Sequence, residues 1–532
     1  MDMPAPIHAS DAPMTAVARA VAWLSCLTIA LLPILSARVP PLVDYPSHLA
    51  RQFILANYQR MPALQLDYAI DWGVKPNLAM DAVVPILARW VPIETAGQLF
   101  LAATLLGLVG GTAALSRALH GRVGLLPMAS TLFLYNLALL LGLINFLASA
   151  GLALAAFAWW IGAERWPFLS RGLVFAFLSA VIFFAHLFPL AVFFVAVAAY
   201  EAGRWRASGR IPLPALAAAT LALMPAAILW TLKPAGPPAA SFAFGNAEHR
   251  AASLLAATIF ARPSDLVILA AALLAVAAAI RSARGNALAP SMRLPLAVLV
   301  VVTLIMPRRM IGGDDIDLRL PVLLPFLLLA SLPPQLLPAR LTKPFVAAVL
   351  ALLALRSGDV ALSWHSMERD FTELRRATRA IAPGARVLTV QDVDEGGRGM
   401  LYQHAIELGI LERCIFVPQM AKLPDQQPVL PAASVAAIDG GTATPVNLRE
   451  FALGADKAAS AQLLARPFRG WERPYYANWP ANFDYVVHLH PGRPAADALR
   501  PDLLVRVTDG TFFEIYRVRG RPQGLSAGCQ PG

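Results

Sequence analysis

Long apolar runs separated by short polar turns fill the first two thirds of the chain. They cover 17–37, 96–116, 124–142, 146–163, 171–185, 187–201, 211–231, 265–280, 294–307, 320–336 and 344–356. A helix needs about 20 mostly apolar residues to cross a bilayer, so the pattern predicts about 11 spans, several near or below the usual length. Ahead of the first run, Asp2 and Asp11 occur but no Lys or Arg. That run therefore reads as an uncleaved first span, not a cleaved signal. Beyond residue 356 the long runs stop and charged residues become frequent. There, "WHSMERDFTELRRATRAI" has helical spacing, with Trp364, Met367, Phe371, Leu374 and Ala377 on one stripe. "ARVLTVQDV", "FDYVVHLH" and "TFFEIYRV" read as short strands.

The fold class expected is an α-helical polytopic membrane protein with a C-terminal extracytoplasmic α/β domain. Residues 1–356 form the membrane domain, with a large first external loop at 38–95, and 357–532 form the soluble domain. Composition agrees: 58% of the 532 residues are hydrophobic and 14% charged, where a soluble protein is about a quarter charged. The net charge of +11 raises nucleic acid as a partner, but the placement of the basic residues removes the need for one. Arg117 and Arg122, Arg165 and Arg171, Arg204, Arg206 and Arg210, Arg281, Arg284 and Arg293, and Arg340 and Lys343 fall in alternate connections, against only Glu164 and Glu201. That asymmetry is the positive-inside signal. It puts the N-terminus in the cytoplasm and loop 38–95, the turns near 143–145, 185–189 and 306–319, and the C-terminal domain outside.

The first external loop opens with "RVPPLVDYPSHLAR". Pro46 suits the first turn of a helix, and Leu49, Phe53 and Ala56 form an apolar stripe, with Arg51 and Gln52 directed elsewhere. The expectation is an amphipathic helix on the outer membrane face with Asp44 ahead of its first turn. There Asp44 is suited to act as a general base or metal ligand, with His48 as a secondary candidate. The plain alternative is that Asp44 caps the helix and His48 is interfacial. A second cluster, "RRMIGGDDIDLRLP", gathers Arg308, Arg309, Asp314, Asp315, Asp317 and Arg319 around Gly312 and Gly313. Arginine suits bidentate phosphate contacts, and carboxylates hold a divalent cation or orient sugar hydroxyls. The alternative is a solvated loop pairing its own charges.

His186 in "FFAHLFPL" is an ionisable group in an apolar setting, a functional candidate by default unless a backbone carbonyl satisfies it; Asn145 is a weaker candidate at the same depth. Asp67, Asp71 and Lys75 in "QLDYAIDWGVKPN" form a polar, aromatic stretch of the kind that binds sugar or acceptor, or else an exposed loop. Lys233 and Arg250 could touch a lipid phosphate. Trp471, Tyr475, Tyr476 and Trp479 could stack on a glycan or pack the core. Cys26 reads as a packed thiol, and Cys414 and Cys529 are free to pair where their region is extracytoplasmic, although spacing alone shows no contact. No Walker loop, GxGxxG, HExxH or GxSxG occurs.

This plan resembles the GT-C superfamily of integral-membrane glycosyltransferases: a first span, an external loop with an acidic motif near its start ("VDYPSHL"), about a dozen spans and an external C-terminal domain. Its members often have two adjacent acids at that motif, where this chain has Asp44 followed by Tyr45. The resemblance implies a lipid-linked (polyprenyl-phosphate) sugar donor, a glycan, lipid or protein acceptor, and an inverting displacement with Asp44 as base. Arg308, Arg309 or Arg319 would neutralise the departing phosphate. A divalent cation, Mg or Mn, is possible, with Asp44 and Asp315 as candidate ligands. It implies a multi-pass protein of the bacterial inner membrane with a periplasmic C-terminal domain. Two other classes remain: a transporter or flippase of a lipid-linked or anionic substrate, and a non-catalytic envelope-assembly protein.

Overall fold

A computed structural model describes residues 14–234, 242–282, 288–310, 313–392, 399–420, 422–441, 444–466, 473–492, 499–521 and 529. Gly312, Arg284 and Trp471 lie outside the described residues. The chain is mostly helical. Among the described residues, seven helices are long and apolar enough to cross a membrane: Ala16–Leu35, Ile93–His120, Ile144–Gly162, Phe168–Ala185, Leu187–Ser208, Leu213–Leu232 and Ala339–Ala380. Shorter apolar helices occupy Leu126–Leu140, Ser264–Ala278, Pro290–Ile305 and Arg319–Ser331. The protein is thus a multi-pass membrane protein with shorter apolar helices besides its seven candidate spans. The predicted run at 124–142 is not one helix: a 3-10 segment, Leu126–Phe133, is followed by the four-residue helix Leu137–Leu140. Asn136 causes the restart, since its side chain accepts the Leu139 N–H as an N-cap.

The chain divides into two compact units. The first comprises Met1–Ser36, Leu101–Leu232 and Ala239–Ser363. Small residues set its helix crossings. A Cβ on Gly151 would lie 2.7 Å from the Gly107 backbone, and one on Gly111 would lie 2.8 Å from the Gly151 carbonyl oxygen, so the Ile93–His120 and Ile144–Gly162 helices touch backbone to backbone. Phe168–Ala185 and Leu187–Ser208 are separate helices, broken at His186, whose backbone is extended. One charge network stitches their far ends. Buried Arg171 donates to the Trp160 carbonyl (2.8 Å) and pairs with Glu201 (3.3 Å), and Arg204 bridges Glu201 and Glu164.

The second unit comprises Ala37–Phe100, Lys233–Pro238 and Trp364–Gly532; the first loop and the C-terminal segment are therefore parts of one unit. Its strands are β1 (Tyr68–Ile70), β2 (Val387–Gln391), β3 (Val429–Pro431), β4 (Tyr485–Leu489), β5 (Leu504–Asp509) and β6 (Phe513–Val518). A four-stranded mixed sheet has the order β2-β4-β6-β5, with β2 and β4 parallel and the other pairs antiparallel. β1 and β3 pair antiparallel, Tyr68 opposite Pro431. Trp364, Met367, Phe371 and Leu374 are buried, as their spacing predicts. Cys414 and Cys529 form a disulfide. Such bonds persist in oxidising compartments, so this one fits an extracytoplasmic domain.

Candidate functional site

In the second unit, Tyr45–Asn57 is a helix with Asp44 at its N-cap position. Asp44 does not cap it. A capping carboxylate accepts the N–H of the second or third helical residue; Pro46, the second, has none. Asp44 moreover takes helical backbone angles (φ −91°, ψ −2°) instead of the extended ones of a cap, and no side-chain cap bond forms. Its Oδ1 lies 3.6 Å from His404 Nε2. The other ring nitrogen, Nδ1, lies 2.5 Å from Glu407 Oε1. His404 is buried and Glu407 fully so, while the Asp44 side chain is 39% exposed. The arrangement is a carboxylate open to the outside, backed by an imidazole that an inner carboxylate orients. His404 was not among the sequence candidates. The available signal was the spacing of His404 and Glu407 on one turn, at a sequence separation of 360 between Asp44 and His404.

Burial disfavours the His404 imidazolium, but the charge and hydrogen bond of Glu407 and the charge of Asp44 outweigh it, so its pKa is raised. A raised folded-state value stabilises the fold below the unfolded histidine value, about 6.5, and the gain is lost as pH climbs through the folded value. Wild type is therefore expected to lose thermal stability above pH 6.5 more steeply than His404→Gln. Parallel melting curves of the two proteins would refute this.

The Tyr45–Asn57 helix departs from the expected interfacial amphipath. Arg51 and Gln52 are fully buried. Arg51 Nε donates to Asp81 Oδ1 (2.6 Å) and Gln52 Nε2 to the same oxygen (2.9 Å). His48 Nδ1 lies 2.9 Å from Arg51 Nη2, so His48 sits on the arginine. The Asp81 side chain in the Ala79–Leu87 helix supplies the counter-charge that draws both polar residues inward. Asp67 is also buried, 3.4 Å from Arg386, and burial raises its pKa. Lys75 is fully buried, its Nζ on the carbonyls of Asp71 (2.7 Å) and Gln427 (3.1 Å) and on the half-exposed Asp71 carboxylate (3.1 Å). Asp67 and Lys75 are thus buried fasteners of the β1–β3 region, while Asp71 stays exposed beside them. Trp479 stacks on Phe451 with centroids 4.6 Å apart, and Tyr475 is buried, which is core packing.

In the first unit, the 308–319 cluster separates into two parts. Arg308, Arg309, Asp314 and Asp315 pair with one another, Arg309 with Asp314 at 2.8 Å and Arg308 with Asp314 and Asp315 at 3.1 and 3.2 Å. Burial opposes ionisation of Asp314, yet hydrogen bonds from Arg309 and the Asp315 N–H and the charge of Arg308 hold its pKa below the usual range. Burial and the neighbouring Asp314 push Asp315 up. Asp317 leaves this group, whereas Arg319 keeps one bond to it, its Nη2 donating to the Asp314 carbonyl (3.3 Å). Asp317 is buried against His249 (3.1 Å), Ser253 (3.0 Å) and Arg250 (3.4 Å), and Arg250 also caps the Thr303, Leu304 and Met306 carbonyls.

Arg319 meets His186. The Phe188 N–H donates to His186 Nδ1 at 3.1 Å. Arg319 Nη1 lies 3.1 Å from the other ring nitrogen, Nε2. Arg319 Nη1 is thus taken up by the imidazole, and the remaining N–H groups of the guanidinium suit an anionic oxygen. Arg319 Nε is buried with no hydrogen-bond partner among the described residues. The aromatic rings of Phe146 and Phe188 flank the guanidinium at 5.8 and 5.9 Å, and Ser149 Oγ donates to the His186 carbonyl at 3.1 Å. Asn145 is buried on the same helix as Phe146.

Glu407 faces the far nitrogen of the His404 ring from Asp44. Among the described residues no group of three or more His, Cys, Asp or Glu is placed to hold a metal ion. The class these observations define is a multi-span helical membrane protein with a small C-terminal α/β region. No protein-family model and no curated protein matches the chain.

Proposed function

We propose that the protein is a membrane glycosyltransferase of the GT-C kind, moving a sugar from a polyprenyl-phosphate donor to an extracytoplasmic acceptor with inversion. The observation that carries this reading is the Asp44–His404–Glu407 chain, a partly exposed carboxylate released from capping and backed by a buried imidazole and carboxylate. A general base needs access to the proton it takes and a fixed orientation; Asp44 has both. In the step, the acceptor hydroxyl oxygen forms a bond to the anomeric carbon while the bond from that carbon to phosphate oxygen breaks. The hydroxyl proton passes to Asp44, and polyprenyl phosphate leaves with the electron pair. His404 and Glu407 position Asp44. This reading takes the four shorter apolar helices as further spans, giving about 11, with the N-terminus cytoplasmic and the C-terminal domain periplasmic.

The test is incubation of the purified chain with synthetic polyprenyl-phosphate sugars, measuring released polyprenyl phosphate. Asp44→Asn is expected to cut release at least about 100-fold, the scale of a lost general base, with its melting temperature kept. Transfer of intact donor across proteoliposomes without cleavage would replace the enzyme by a transporter. Unchanged release by Asp44→Asn would end the assignment of Asp44.

A further inference from the structure

The Ala16–Leu35 helix turns bare apolar side chains outward, with Val17 72%, Val21 57% and Leu24 66% exposed. In a membrane-spanning helix such a face is covered by lipid. Beside it lies a groove of about 430 Å³ between this helix, Ala113 of the Ile93–His120 helix, and Val123 and Leu125. Its floor is apolar, and two of its lining residues are Arg19 and Trp23. Tryptophan favours the headgroup level, where its ring is wetted on one side. Arg19 is exposed, and so are Arg117 and Arg122, which lie on the same segments that line the groove. No Asp or Glu occurs in 14–23 or 113–125. The rim therefore has one sign of charge, and the walls suit an acyl chain.

We infer that this groove binds an anionic phospholipid of the surrounding bilayer, with the acyl chain along the apolar wall and the headgroup phosphate at Arg19. The site stands apart from the proposed transfer chemistry and does not depend on it. A juxtamembrane arginine favours anionic over neutral lipid about fivefold, so Arg19 sets the selectivity and Arg117 and Arg122 add to it.

The test exposes the purified full chain to equimolar phosphatidylglycerol and phosphatidylcholine and reads retained lipid by native mass spectrometry. Wild type is expected to retain phosphatidylglycerol at least about fivefold over phosphatidylcholine. Arg19→Gln should lose most of that preference and Arg19→Lys keep it, while Arg60→Gln, an exposed arginine in the other compact unit, leaves it unchanged. Equal retention of both lipids by wild type overturns the inference, as does an unaltered preference in Arg19→Gln. A second copy of the chain cross-linking through Arg19→Cys in the presence of lipid also overturns it, giving the groove to a protein partner.

Discussion

Asp81→Ala should cost the fold about 3–5 kcal/mol, the usual penalty for breaking a buried ion pair by removing one partner. Both Arg51 and Asp81 side chains are 0% exposed. The substitution leaves a guanidinium out of water without its counter-charge and removes the acceptor of Gln52 Nε2. For units of 150–250 residues each kcal/mol moves the melting temperature by roughly 2–4 °C, so a fall of about 10 °C is expected in detergent. The cost belongs to the orphaned charge more than to the pair's attraction. Arg51→Met combined with Asp81→Leu should therefore recover most of the loss. A single Asp81→Ala variant melting within 2 °C of wild type would show that water reaches Arg51.

Cys529→Ser is the second large effect. The Cys414–Cys529 bond closes a separation of 115 residues in the sequence. Loop-closure entropy gives a stabilisation of about 3–5 kcal/mol for a loop of that length. Limited proteolysis of the full chain should show the second unit cut faster in Cys529→Ser, and reductant should convert wild type to the same behaviour. Cys26 is buried and unpaired, so Cys26→Ser should leave the reductant response intact. If wild type resists proteolysis equally with and without reductant, the bond does not hold this unit.

Much of the helical plan is legible in the apolar runs, because hydropathy over about 20 residues integrates a strong signal. The break at His186 is also legible, since a histidine beside Pro189 interrupts two such runs. The short segment Leu126–Leu140 is where the reading fails, because a single Asn136 cap redirects the backbone without lowering mean hydropathy. In the C-terminal region the predicted strands correspond to β2, β4 and β6. β5 went unread because its burial is broken, with three exposed positions in six. β1 and β3 are three residues each and exist only through mutual pairing.

Asp44 stood out because an acid at the end of a hydrophobic run costs enough to need a reason. Its partner did not, because His404 in "YQHAIELG" is locally unremarkable and only tertiary structure brings it to 3.6 Å. Arg51 misled for a related reason. Periodicity assigns a charged residue to the wet face, and it cannot see Asp81 waiting on another helix.

The second unit is assembled from chain segments made far apart in time. Tyr68 donates its hydroxyl to the Ile415 carbonyl across 347 residues. At roughly 5–20 residues per second, the loop segment emerges about 20–70 seconds before its partners. During that interval Arg51 and Asp81, both contributed by residues 37–100, already have each other, while β1 has an open edge and Asp44 has no imidazole. The nascent chain thus passes through a stage in which Asp44 is present but not yet backed by His404, and the transfer proposed for it would begin only after the final segment has folded.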